Sequence, residues 1–131
     1  MRSITLKSFI LPAIWFAFIT VILTLPGSSF PKETWLNKIY FDKIFHVSIF
    51  FILVLLFFWP FSRTTISESK KKKIFFTIIL SAITYGIIIE FIQKYWIPGR
   101  SFELLDILAD ATGSVLVVVF YKQLNRVSVA K

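Results

Sequence analysis

Four apolar runs, at about residues 9–25, 44–61, 74–92 and 104–121, leave this chain of 131 residues little choice of fold. A helix crossing the hydrocarbon of a bilayer needs about 20 mostly apolar residues, with roughly 17–25 tolerated, and each run meets that length. The connections between them are short, so residues 1–131 read as a single domain. A soluble alternative fails on composition. Of the residues, 56% are hydrophobic and 18% aromatic, and the sixteen Phe alone exceed what a globule of this size can bury. The prediction is an all-α polytopic membrane protein with four transmembrane helices. Pro12 falls in the first turn of the first run, where a missing N–H does little harm. That run follows Arg2 and Lys7 as the core of a signal peptide would. It is long for one, however, and ends in Leu25-Pro26-Gly27 rather than a small-x-small cleavage site, so it is predicted to be retained. Trp35, Tyr40, Trp59, Tyr95, Trp96 and Tyr121 sit near run ends, where interfacial aromatic belts form.

Basic residues set the expected orientation. Arg2, Lys7, Arg63, Lys70 to Lys73, Lys122, Arg126 and Lys131 fall on one side of a four-span arrangement; Lys32, Lys38, Lys43, Lys94 and Arg100 fall on the other. The excess belongs inside, which places both termini in the cytoplasm and agrees with an even number of spans. The net charge of +8 therefore comes from the segments between spans and from no nucleic-acid motif. Lys70 to Lys73 read as a cytoplasmic run lying against anionic lipid headgroups, so membrane lipids, not nucleic acid, are the expected partners. The chain has no cysteine, which excludes disulfides, thiolate metal sites and thiol nucleophiles.

Against this apolar background the ionisable residues stand out. A charge at the centre of a bilayer costs about 2.5–3.5 kcal/mol on an insertion scale, so such groups must pair or serve a purpose. Asp42, Lys43 and His46 open the second span, Glu90 and Gln93 close the third, and Asp106 and Asp110 open the fourth after the turn Pro98-Gly99-Arg100-Ser101. In the predicted topology all of them reach the outer side. Residues three or four apart share a helix face, so Asp42 is expected to meet His46, and Glu90 to meet Gln93. Gly86 and Gly113 lie one turn deeper than carboxylates and are expected to bring the third and fourth spans into contact, since small residues let helices approach in membranes. Five carboxylates (Asp42, Glu90, Glu103, Asp106 and Asp110) face only Lys43, Arg100 and His46, which leaves open protonation, a bound cation or a cationic ligand group. No cofactor is expected, and a lone His excludes a multi-histidine zinc site within one protomer.

The motifs Asp42-Lys43-x-x-His46-x-x-x-Phe50, Glu90-x-x-Gln93 and Gly99-Arg100-Ser101-Phe102-Glu103-x-x-Asp106-x-x-x-Asp110-x-x-Gly113, with Leu25-Pro26-Gly27-Ser28-Ser29 after the first span, resemble the VanZ-like family of small bacterial membrane proteins. The resemblance covers all four spans in order. It implies a multi-pass protein of the bacterial cytoplasmic (inner) membrane and cell envelope, in a family whose founding member is tied to teicoplanin resistance. Where the family usually carries Asn, this chain has Asp110, which adds a carboxylate to an acidic site.

The function expected from these residues is an outward-facing polar pocket that binds a lipid headgroup, a wall precursor or a glycopeptide-type amphiphile. Lys43, Gln93, Arg100, Ser101, Asp106 and Asp110 would contact the ligand, with Arg100 gripping phosphate or carboxylate. One alternative is an intramembrane enzyme on a lipid-linked substrate, with His46 or Glu90 as general base, held by Asp42 or Gln93. Ser101 has no Gly-x-Ser-x-Gly or Ser-x-x-Lys context that would make it a nucleophile. Another is a small transporter or a subunit working with a second copy or a membrane-protein partner. The simplest alternative is structural: Glu90 pairs with Lys43 or Arg100 and locks the helices together.

Overall fold

The computed structural model describes residues 4–30 and 40–129, with side chains as far as Lys122. Trp35, Lys32, Lys38, Arg2 and Lys131, used above for the aromatic belt and the charge count, lie outside the described residues, as does the side chain of Arg126. A 3-10 turn, Leu6–Phe9, leads into helix α1, Ile10–Leu23. Helix α2 is Phe41–Ser62, α3 is Glu68–Trp96 and α4 is Leu104–Val129. The 3-10 turn and α1 taken together (Leu6–Leu23), α2, α3 and α4 are each long and apolar enough to cross a membrane, and no strand occurs among the described residues.

The predicted spans are matched in number and order, but several helices overrun their apolar runs. Helix α3 begins at Glu68, six residues before the run, so Lys70 to Lys73 form its first turns rather than a loop. Ser67 caps this end by accepting from the Lys70 N–H, and Glu68 lies where the helix dipole favours an acid. Lysine is a good helix former, so hydropathy alone misplaced the boundary. Helix α2 likewise starts at Phe41, which makes Asp42, Lys43 and His46 helical from the outset.

Helix α2 is the centre of the bundle, packed against α1, α3 and α4, and α4 also packs on α3. Ile49, Phe50, Leu53 and Val54 of α2 meet Ile19 and Leu23 of α1, Ile79, Ala82 and Ile89 of α3, and Val117 of α4 in one buried cluster. Leu11, Phe18, Phe76, Leu80, Leu108 and Val119 remain exposed. That pattern suits a bilayer, where outward apolar side chains meet lipid and helices associate through close packing and hydrogen bonds. Helix α4 supplies the close packing, its inner face being Ala109, Asp110, Gly113 and Ser114. Gly113 lies on the backbone of Val47, where a Cβ would collide with the Val47 carbonyl. Helix α1 is tied on by the Trp15 indole N–H, which donates to the Ile49 carbonyl at 3.1 Å.

Candidate functional site

The N-terminal ends of α2 and α4 and the C-terminal end of α3 bring their polar groups together at one end of the bundle. Lys43 is the hub. Its Nζ lies 2.7 Å from Asp42, 2.5 Å from Glu103 and 2.5 Å from Asp106. Oxygens of those three carboxylates lie within 4.8 Å of one another, close enough to hold a metal ion. The Lys43 ammonium bonds all three, so the chain supplies the cation itself.

Asp106 continues the chain of charges inward. Its second oxygen is 3.9 Å from His46 Nε2, while His46 Nδ1 lies 2.8 Å from Asp110. Lys43, Asp106, His46 and Asp110 thus alternate basic and acidic groups along the α2–α4 seam. Exposure falls along the series, from 57% for the Asp42 side chain to 10% for Asp106 and 2% for Asp110. Gly86 of α3 makes room for its inner end, for a Cβ there would lie 2.5 Å from an Asp110 oxygen.

Several expected pairings are replaced by others. Asp42 does not meet His46: it faces outward and turns to Lys43, while the buried His46 faces α4, where Asp106 and Asp110 offer carboxylates. Glu90 and Gln93 are buried on one face of α3 without bonding each other. Gln93 instead donates to the Leu23 carbonyl at 2.8 Å, satisfying one of the orphan acceptors at the end of α1. Glu90 pairs with neither Lys43 nor Arg100; one oxygen accepts from the Glu103 N–H at 2.8 Å. Gly86 does join α3 to α4 as expected, whereas Gly113 serves the α2–α4 contact instead. Ser101 is exposed beside the buried cluster.

A close approach of two loops, far apart in sequence, closes this end. The Gly27 N–H donates to the Pro98 carbonyl at 3.1 Å, and a Cβ on Gly27 would strike the Gly99 backbone. Gly99 itself has φ +73°, a conformation that favours glycine. Nothing local to Leu25-Pro26-Gly27 or to the turn Pro98-Gly99 points to the other segment. Replacing Gln93 by Met is expected to loosen this clamp. With the Leu23 carbonyl left unpaired, the loss should be about 1–3 kcal/mol, read as a lower midpoint in thermal unfolding.

Among the described residues two buried polar atoms stand outside the network. Glu90 is fully buried, yet its Oε1 has no hydrogen-bond partner there, and Arg100 Nε is buried and equally unpartnered. Among the described residues Arg100 has no carboxylate within ion-pair distance. Its guanidinium lies 4.8 Å from the centre of the Phe30 ring, within the range of a cation–π contact.

The family model described as VanZ/LLP1 matches residues 3–126, nearly the whole chain. An uncharacterized protein of Schizosaccharomyces pombe is 32% identical over 78 residues, 60% of this chain and 44% of that protein. The chain thus spans less than half the length of this curated relative, which is a fungal protein. No solved structure matches.

Proposed function

The chain belongs to the VanZ/LLP1 family, and from that premise we propose that it holds the polar headgroup of a membrane amphiphile at the Lys43–Glu90–Arg100 end of its bundle. The observation that carries this reading is Glu90 Oε1, a carboxylate oxygen in a fully buried residue with no partner among the described residues. Buried polar atoms in native structures are almost always bonded, and one left over calls for an occupant. Arg100 supplies the complementary donors, since a guanidinium grips phosphate or carboxylate in a two-pronged fashion. A ligand that donates to Glu90 and presents an anion to Arg100 fits both. The lipid headgroups, wall precursors and related amphiphiles of a bacterial envelope offer that chemistry. With the basic Lys70–Lys73 end inside, the site faces outward in the cytoplasmic membrane.

In this reading Lys43, Asp106, His46 and Asp110 form the frame, and Asp42 and Ser101 lie at its rim. Gln93 keeps α1 over the site through Leu23. The test is calorimetric titration of the purified protein with a short-chain amphiphile bearing a phosphate headgroup, set against the same chain with an uncharged headgroup. Arg100→Ala is expected to weaken binding of the phosphate form by roughly 10–100-fold, the loss of a charge-assisted contact of about 1.5–3 kcal/mol. Glu90→Gln is expected to weaken it about tenfold. Equal affinity of wild type and both variants would remove the proposal.

A second reading rests on His46, whose Nδ1 is held 2.8 Å from Asp110, the way a carboxylate orients a general-base imidazole. An enzyme would lose turnover in His46→Ala while still binding the phosphate amphiphile. A binder shows no turnover to lose.

A further inference from the structure

At the other end of the bundle an apolar cleft of about 290 Å³ lies between Phe16 of α1, Leu53 and Phe57 of α2, and Thr77, Ser81 and Tyr85 of α3. Among the described residues, the hydrogen bonds that join α1 to α3 lie toward the polar site. Gln93 reaches Leu23 there, and one turn or two below, the Tyr85 and Thr20 hydroxyls bond at 2.7 Å. Phe16 packs its ring 4.8 Å from that of Tyr85. Beyond this closure α3 presents the small Ser81 and Thr77, which do not fill the gap to α1.

The same face of α3 carries charge at its open end. Lys73, Thr77, Ser81 and Tyr85 follow one another at four-residue steps, so each lies beside the next in a row that winds about 120° round the helix, with Lys70 one turn earlier. Among the described residues only Lys71 of this run has an acidic partner, Glu68 at 2.9 Å. Twelve residues separate Lys73 from Tyr85, about 18 Å of helix, which compares with roughly 15 Å for the hydrocarbon of one leaflet. The stripe therefore runs from a cation at the membrane interface to a closure about one leaflet deep.

We propose that this cleft is a binding site for one anionic phospholipid, with its phosphate at Lys70 and Lys73 and one acyl chain lying along Thr77 and Ser81 as far as Tyr85. The chain is a membrane protein and the cleft is lined from its spans, so hydrocarbon is the medium that reaches it. A second copy of the chain fits poorly. A symmetric dimer uses the same patch on both partners, which would set two Lys70–Lys73 runs face to face. The site is separate from the Glu90–Arg100 end and stands or falls independently of it.

The test is native mass spectrometry of the full chain released from nanodiscs of phosphatidylcholine with a minor fraction of phosphatidylglycerol, counting the phosphatidylglycerol retained. Every chain compared carries Arg100→Ala, so that a headgroup held at the Glu90–Arg100 end is not counted, and this background is expected to keep one. Lys73→Gln should retain about fivefold less, the effect of one lysine near an anionic headgroup. Ser81→Phe, which fills the cleft from an exposed position, should retain almost none. Lys72→Gln, one position round the helix, should retain as much as that background. Equal losses in Lys72→Gln and Lys73→Gln would reduce the effect to surface charge and overturn the site. So would full retention in Ser81→Phe, or a dimer of that background that Ser81→Phe turns into a monomer. If Ser81→Phe does not fold, judged by circular dichroism, the contrast between Lys72→Gln and Lys73→Gln decides alone.

Discussion

Lys43→Ala is expected to lower the stability of the folded protein by about 3 kcal/mol, while Asp42→Ala should cost no more than about 1 kcal/mol. Removing one partner of a buried ion pair typically costs about 3–5 kcal/mol, because a charge is left behind without compensation. Lys43 belongs toward the lower end of that range. Of its three partners Asp42 and Glu103 are about half exposed, with side chains 57% and 48% accessible, and can return to water. Asp106, at 10%, cannot. Among the described residues its only other basic neighbour is His46, at 3.9 Å and already committed to Asp110. Asp42 sits at the exposed end of the network, where ion pairs contribute about 0–1 kcal/mol. Thermal unfolding of the purified protein in one detergent checks both values. Adding Asp106→Asn to Lys43→Ala should recover part of the loss, since the stranded charge is then gone; a purely additive double variant would show that the two residues are not coupled.

Gly113→Leu is expected to be at least as damaging, by a different route. The α2–α4 seam holds Lys43, His46, Asp106 and Asp110, and its closest approach is Gly113 against the Val47 backbone. A side chain here meets main chain, which cannot rotate out of the way as the tip of a flexible side chain can. Overpacking costs about 1–3 kcal/mol and occasionally more. Gly113→Ala should fall in that range and Gly113→Leu beyond it, low enough that the variant fails to accumulate in the membrane. Gly86→Ala should be milder, because the atom it meets is the Asp110 carboxylate rather than backbone. Membrane yields of the three variants give the order. Equal yields for Gly113→Leu and wild type would mean that the two helices do not touch there.

The sequence made the four spans readable because hydrocarbon thickness dictates their length, and apolar runs of that length have few other uses. It also placed Asp42, Lys43, His46, Glu90, Gln93, Asp106 and Asp110 at one end, since helix order and direction decide that. What it could not give was who bonds whom. Spacing of three or four residues reports only that side chains share a face, so it favoured Asp42 with His46 and Glu90 with Gln93. The real partners come from other helices, as His46 with Asp110 and Gln93 with Leu23 show. Cross-helix pairing depends on helix rotation, which a single sequence of nearly uniform hydrophobicity does not encode. The early start of α3 at Glu68 has a local cause in the Ser67 cap and the acidic first turn, which hydropathy does not register. The stacking of Arg100 on Phe30 joins two loops distant in sequence, and no local pattern points to it.

The most direct test of the proposed headgroup site is a density map of the protein in a bilayer of native lipids. The expected result is a headgroup lying between the Arg100 guanidinium and Glu90 Oε1, with Lys43 still bonded to Asp42, Glu103 and Asp106. A map in which Glu90 Oε1 bonds a group of the protein itself, and Arg100 pairs with one of its own carboxylates, would contradict it.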